Sequence, residues 1–243
     1  KMLLQARAEQ AGGDAAVEAL QDAAIVQRNH LKDDDGAVAL LDRANGIKPD
    51  WFSFRLLREL HYRRKDWASL VGVLSEMATL SSGARAARCK VEEGSIREVE
   101  LQDPDGAAEA YTHALTSEAS YMDAFLARAR VATSRGHQSA LVDLYIAEAD
   151  RTDGANAQFW LQRAARTASA SGDKRTGGLY RKAMQLNDDA SPSIFREAAA
   201  HFKASGDLDG VYEAMTAEAK RQSGTARCAT LFFIGEEFAT APA

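Results

Sequence analysis

Apolar and alanine positions along this chain fall into helix-length runs, and short polar breaks separate the runs at regular intervals. Lys65-Asp66, Gly136-His137, Gly172-Asp173 and Gly206-Asp207 read as turns. Asp103-Pro104 opens a run with an N-cap and a proline at the first helical position, and Ser191-Pro192 has the same form. The runs predict fourteen helices, over 1–11, 14–31, 35–46, 51–64, 67–80, 84–101, 104–117, 121–135, 138–150, 155–171, 174–186, 192–204, 208–222 and 225–239.

The breaks keep a period. Leu31-Lys-Asp-Asp-Asp-Gly-Ala37 matches Leu101-Gln-Asp-Pro-Asp-Gly-Ala107 at a shift of 70. Phe54, Phe125 and Phe195 recur at 71 and 70, as do Leu70, Leu141 and Val211. Gly13, Gly83, Gly154 and Gly224 recur at 70, 71 and 70, each after a helical run, where a left-handed residue would end it. Each 70-residue unit divides into two halves, and each half reads as two helices joined by a turn. The first predicted helix matches the second helix of a hairpin, and the last matches a first helix. Six hairpins therefore lie between two half-units, which predicts an excerpt of a longer array. The opening KMLLQARAEQ shows no signal-peptide pattern, which says little about targeting if the chain is an excerpt.

A period of roughly 34 residues per helix–turn–helix is that of the tetratricopeptide repeat. The residues resemble that family too. Gly94, Ala107, Tyr111 and Ala114 stand at its characteristic small and aromatic positions, as do Ala24, Ala37, Leu41, Ala44 and Pro49, and Ala164, Thr176, Tyr180 and Ala183. Alternate units depart from the pattern. They carry Leu70, Leu74, Met77 and Ala78; Leu141, Tyr145, Glu148 and Ala149; Val211, Met215, Glu218 and Ala219. Phe54, Phe125, Trp160 and Phe195 stand where the family usually has tryptophan. The likeness is closest to long, alanine-rich bacterial arrays. It implies an all-α, right-handed superhelical solenoid of about six hairpins with half-repeats at each end, running over 1–243 as a single array.

Composition agrees. Alanine supplies 48 of 243 residues, proline only 4, and aromatics 7%, a mix that favours close-packed helices over strands. No window is long and apolar enough to span a membrane. A net charge of −5 gives no support to nucleic-acid binding. Cys89 and Cys228 stand alone, without a C-x-x-C pair, and read as structural thiols that suit a reducing, cytoplasmic compartment. The five histidines show no metal-ligand spacing and read as surface or packing residues. Asp33, Asp34 and Asp35, like Asp188 and Asp189, read as helix-start carboxylates complementing the helix dipole. No nucleophile elbow, phosphate loop or dinucleotide fingerprint is present. Neither enzyme activity, nor a cofactor, nor a metal is expected.

Charge is unevenly spread. Arg55, Arg58, Arg63, Arg64 and Lys65 face one acid, Glu59, across 55–65. Glu92, Glu93, Glu98, Glu100, Asp103, Asp105 and Glu109 face one cation, Arg97, across 92–109. Each block reads either as a solvated face or as half of a two-signed surface that orients a charged partner. In the resembled family, first helices line a concave groove. Mapped here, the groove positions include Phe52, Arg55, Glu59, Tyr62 and Arg63, with Gln21, Ile25, Arg28 and Asn29, then Leu126, Arg130 and Thr133, and Arg196 and Lys203. The partner-binding candidates are Arg28, Arg55, Glu59, Tyr62, Arg63 and Arg130. One family variant clamps a chain-terminal carboxylate with Lys and Asn. Arg55 and Glu59 hold those positions, and the missing Asn argues against that use. The expected function is a non-catalytic scaffold gripping a protein or peptide, acidic or aromatic, through guanidinium contacts and ring stacking. The alternative is a structural spacer or self-assembly module of a larger protein, joined through Leu231-Phe232-Phe233-Ile234 of the last helix. A third reading, a catalytic domain outside this segment, would leave these residues a docking role.

Overall fold

The computed structural model describes residues 12–186 and 192–239. The helix expected over 1–11, and Asp188, Asp189 and Ser191, lie outside the described residues. Thirteen helices fill the described chain: α1 (Gly13–His30), α2 (Asp34–Ile47), α3 (Trp51–Arg64), α4 (Trp67–Thr79), α5 (Gly83–Val99), α6 (Pro104–Ser117), α7 (Met122–Ser134), α8 (Gln138–Arg151), α9 (Gly154–Ser171), α10 (Thr176–Gln185), α11 (Pro192–Ser205), α12 (Leu208–Arg221) and α13 (Gly224–Ala239). Each expected helix within this range is present, with ends within two residues of the expectation, and no strand forms among the described residues.

The turn inside each hairpin opens the same way six times. A residue in the left-handed region comes first: Lys32 (φ 56°), Lys65 (56°), Gln102 (53°), Gly136 (68°), Gly172 (69°) and Gly206 (75°). In four of the six, the next residue is an aspartate that caps the second helix. The carboxylates of Asp33, Asp66, Asp103 and Asp207 accept the backbone N–H of Gly36, Ser69, Gly106 and Gly210 at 2.8, 3.3, 2.9 and 2.9 Å. Each such bond satisfies one of the orphan donors at a helix start and contributes about 1 kcal/mol. The preceding helix locks several of these caps. Gln27 donates to Asp33, His61 meets Asp66 at 3.0 Å, and Arg97 donates to Asp103 at 3.2 Å.

The joins between hairpins are not all alike among the described residues. Gly13, Gly83, Gly154 and Gly224 adopt φ of 59°, 56°, 49° and 58°, the left-handed geometry expected of them, and each begins the helix that follows. The join before α3 instead uses Asp50, which accepts the N–H groups of Phe52 and Ser53 at 2.9 and 3.1 Å. Glycine joins recur every second hairpin, which accounts for a 70-residue period over a 35-residue hairpin.

Contacts divide the chain into two compact units, Lys1–Val131 and Ala132–Ala243. In the first, α1 through α6 pack successively, each on the next in sequence. Its core runs through Leu20, Ala24, Leu41, Ala44, Leu57, Leu60, Leu70 and Leu74. It continues in two smaller clusters, Ala87 with Ala114 and Ala124, and Ala107 with Tyr111 and Val131. In the second unit, α8 through α13 pack successively, and α10 also touches α12. Ala164, Ala183, Ala198 and Ala214 are buried there. A side chain that ends at Cβ lets neighbouring helices approach toward the lower end of the ~8–10 Å range. The alternate units bury Leu70, Leu141 and Val211 in place of alanine, and Ala78, Ala149 and Ala219 where the small residue has shifted. One expectation needs correction. Cys228 is exposed, so only Cys89 is a buried structural thiol. Trp160 is half-buried, where Phe54, Phe125 and Phe195 are buried; it stacks on the buried Tyr145 (5.7 Å, 23°) and meets the exposed Phe159 edge-on.

Candidate functional site

The helix α3 turns Phe54, Leu57 and Leu60 inward, so the positions between them point out. Arg55, Glu59, Tyr62 and Arg63 are all exposed on it. Glu59 does not stand alone: Arg28 of α1 donates to it at 2.9 Å. Arg63 reaches Asp34 of α2 at 3.3 Å. Tyr62 stands out from the surface and meets Trp67 edge-on at 5.7 Å. Arg55 holds its guanidinium 5.2 Å from the Phe52 ring and forms no ion pair among the described residues. Arg130, on α7, grips both oxygens of Glu98 on α5, and this hydrogen bonding raises its already high pKa. Glu98 also accepts the Tyr111 hydroxyl at 3.1 Å. Burial, with Glu98 second, pushes Tyr111 up to about 12.

Thus five of the six candidates lie on α1 and α3, and Arg130 lies further along the first unit. Arg28 and Glu59 face each other, while Tyr62, Arg63 and Arg55 present exposed surface. The other groove positions are also partly engaged. Gln21 donates to Asp50 and Ser53, both at 2.9 Å, and Arg196 donates to Glu218 at 3.0 Å.

The two charge blocks meet through one pair, and their other charged members mostly pair elsewhere within the stack. Arg58 makes a two-pronged contact with Glu92 at 2.8 and 2.9 Å. Arg64 meets Asp35 at 2.6 Å. The buried Glu93 accepts from Lys90 at 2.8 Å and Arg97 at 3.0 Å. These pairs form a ladder whose rungs lie about one hairpin apart in sequence: Asp14–Lys48, Arg28–Glu59, Asp34–Arg63, Arg58–Glu92 and Glu98–Arg130. The second unit repeats it with Asp143–Arg175, Asp150–Lys182, Arg166–Glu197 and Arg181–Glu213. Exposed rungs each contribute little, about 0–1 kcal/mol. Their regularity orients each hairpin on its neighbour.

Sequence reasoning passed over Arg85 and Arg88 at the start of α5. The available signal was positional. The ladder puts an acid about 30 residues after an arginine of a first helix, and 30 and 33 residues after Arg55 stand two more arginines. With Arg55 and Trp51 they wall a cavity of about 310 Å³ in the first unit. Among the described residues no group of three or more His, Cys, Asp or Glu side chains is arranged to hold a metal, and no helix is long and apolar enough to cross a membrane.

No protein-family model matches the chain, and no curated protein matches it. Among solved structures it is similar to a tetratricopeptide repeat protein from Parabacteroides merdae, at 12% identity over 96% of this chain and 88% of that one, with a TM-score of 0.39. It is also similar to PilW, a widely conserved type IV pilus biogenesis factor, at 14% identity over 89% of this chain and 98% of that one, with a TM-score of 0.33. The helical-hairpin description rests on the packing of the chain itself.

Proposed function

We propose that the chain is a non-catalytic scaffold that binds another protein along the outward face of its first helices. The observation that carries this reading is the neighbour-only stacking of hairpins. Each unit spreads its residues over a series of helix faces, and α3 offers an aromatic ring and guanidinium groups side by side on one of them. Tyrosine and arginine side by side supply apolar area together with directional charge, the pairing that most often anchors a protein interface. A tetratricopeptide-like array used in this way needs no cofactor. The single buried thiol and the absence of any paired cysteine suit a reducing, cytoplasmic setting.

The test is capture of binding proteins by crosslinking to the parent chain, followed by calorimetry with each purified candidate. Tyr62→Ala, Arg63→Glu and Arg130→Glu should each weaken a true partner severalfold while the helical content stays unchanged. Affinity indifferent to all three would remove these residues from the interface.

A second reading has its own observation. Leu231, Phe232 and Phe233 on α13 are exposed, Phe232 at 68%, although Ile234 beside them is buried. Three adjacent exposed apolar side chains favour self-association or docking of another domain there. Light scattering across a concentration series decides it. Concentration-dependent association abolished by Phe232→Glu supports the module reading, and a monomer at every concentration refutes it.

A further inference from the structure

Not every arginine of the first unit joins the ladder of ion pairs. Arg28, Arg58, Arg63, Arg64 and Arg130 of the first unit each meet a carboxylate. Arg55, Arg85 and Arg88 form no ion pair among the described residues, yet they line the same cavity between α3 and α5. The Arg58–Glu92 pair neutralises itself on the cavity wall, so the three unpaired guanidiniums set its charge. The half-buried Trp51 supplies apolar surface to the lining, over a floor that includes the buried Leu74 and Met77. Arg85 lies 5.3 Å from the Trp51 ring, which holds its guanidinium over an aromatic face.

Neither helix stability nor stacking explains this arrangement. Arg85 stands in the first turn of α5, and that turn carries no acidic residue. A cation there opposes the helix dipole, which favours negative charge at that end. Three like charges on one cavity repel one another. An anion in the cavity would relieve both effects. An inorganic anion would leave the tryptophan surface wet, so the lining suits a group that carries charge and apolar area together.

We propose that this cavity docks an acidic–apolar segment of a partner protein, with an aromatic or large aliphatic side chain against Trp51 and flanking carboxylates on Arg55, Arg85 and Arg88. The proposal rests on the scaffold reading and specifies what one part of it grips. A volume of about 310 Å³ suits one large side chain, and guanidinium–carboxylate pairing gives the flanking acids a directed, two-pronged contact.

Fluorescence anisotropy with a labelled peptide, phenylalanine flanked on both sides by glutamates, tests it. The parent should bind the peptide. Arg85→Glu with Arg88→Glu should weaken binding by about tenfold or more, whereas Lys48→Glu, on a separate rung, should change it less than about twofold. Peptides with glutamine for glutamate, or glycine for phenylalanine, should each bind more weakly. Inorganic phosphate at matched ionic strength should not displace the peptide. The double variant, freed of like-charge repulsion, should unfold at the parental temperature or above. No peptide binding, binding indifferent to the double variant, displacement by phosphate alone, or a lowered unfolding temperature would each overturn the proposal. Peptide binding that ignores Arg85 and Arg88 defeats only the cavity and leaves the scaffold standing. Peptide binding at the cavity, with crosslinking that finds no partner sensitive to Tyr62, Arg63 or Arg130, defeats the wider face instead.

Discussion

Two glycines in helix interiors should respond in opposite directions to the same substitution. Gly94 lies in α5, against the Tyr111 ring of α6. A Cβ added there would meet Cε1 at 2.5 Å, Cδ1 at 2.8 Å and Cζ at 2.9 Å. The ring has nowhere easy to go. Tyr111 is 1% exposed, and its hydroxyl is tied to Glu98, which Arg130 holds in turn. Alanine gains about 0.5–1 kcal/mol over glycine in a helix interior by restricting the unfolded chain. Forcing the ring aside costs about 1–3 kcal/mol. The cost wins, and Gly94→Ala should destabilise by about 1 kcal/mol net. Gly72, in α4, is exposed and has nothing within 4 Å of an added Cβ. There only the gain operates, and Gly72→Ala should stabilise by about 0.5–1 kcal/mol. Urea denaturation followed by circular dichroism gives both midpoints. Hydrogen exchange should place the loss from Gly94→Ala in α5 and α6, because stacked hairpins lose stability locally first. A Gly94→Ala protein as stable as the Gly72→Ala protein would refute the close-packing argument.

Two further expectations concern pH and the hairpin turns. Tyr111 is held up at about 12 in the folded chain, against 10 for an ordinary tyrosine. Its contribution is therefore complete below about pH 10 and is lost as pH rises from there toward 12; Tyr111→Phe should flatten that limb of a stability–pH curve. The Arg175 hydrogen bonds hold Asp173 down to about 2, so its contribution is present above about pH 4 and is lost as pH falls toward 2. Arg175→Gln should shift that acid limb upward in pH, and unchanged titration of Asp173 by NMR would contradict it. At the turns, Gly206→Ala forces a Cβ into the left-handed region and should cost about 1 kcal/mol, whereas Gln102→Gly should leave stability unchanged or raise it. Thermal unfolding of the two variants checks both signs.

The helices were legible because their turns repeat, and a repeated turn advertises itself. Asp103-Pro104 and Gly206-Asp207 mark the same cap in different residues, and the match between Leu31–Ala37 and Leu101–Ala107 exposed a third copy. Lys32 and Gln102 were aligned correctly, but their left-handed geometry was hidden because neither is glycine. The charge blocks were visible as composition, whereas their pairing was not. Whether Arg58 faces solvent or Glu92 depends on the rotation of α3 against α5, and packing of Leu57, Leu60 and Leu74 sets that rotation rather than charge. The same rotation brings Arg85 and Arg88 to the cavity with Arg55, which a linear reading, focused on one dense cationic stretch, did not join. Cys228 escaped for a related reason: its place in the period is regular, but it stands on a helix surface that its neighbours leave uncovered.

The recurrence of the glycine join at every second hairpin has a consequence for how such a chain can lengthen or shorten. Copying or excising a block of two hairpins returns a glycine to a glycine position. Removing one hairpin alone sets a join of another kind, such as that at Asp50, where the backbone turns through the left-handed region. Heritable size variation in arrays of this design should therefore come in steps of about 70 residues, with odd-numbered products failing to stack.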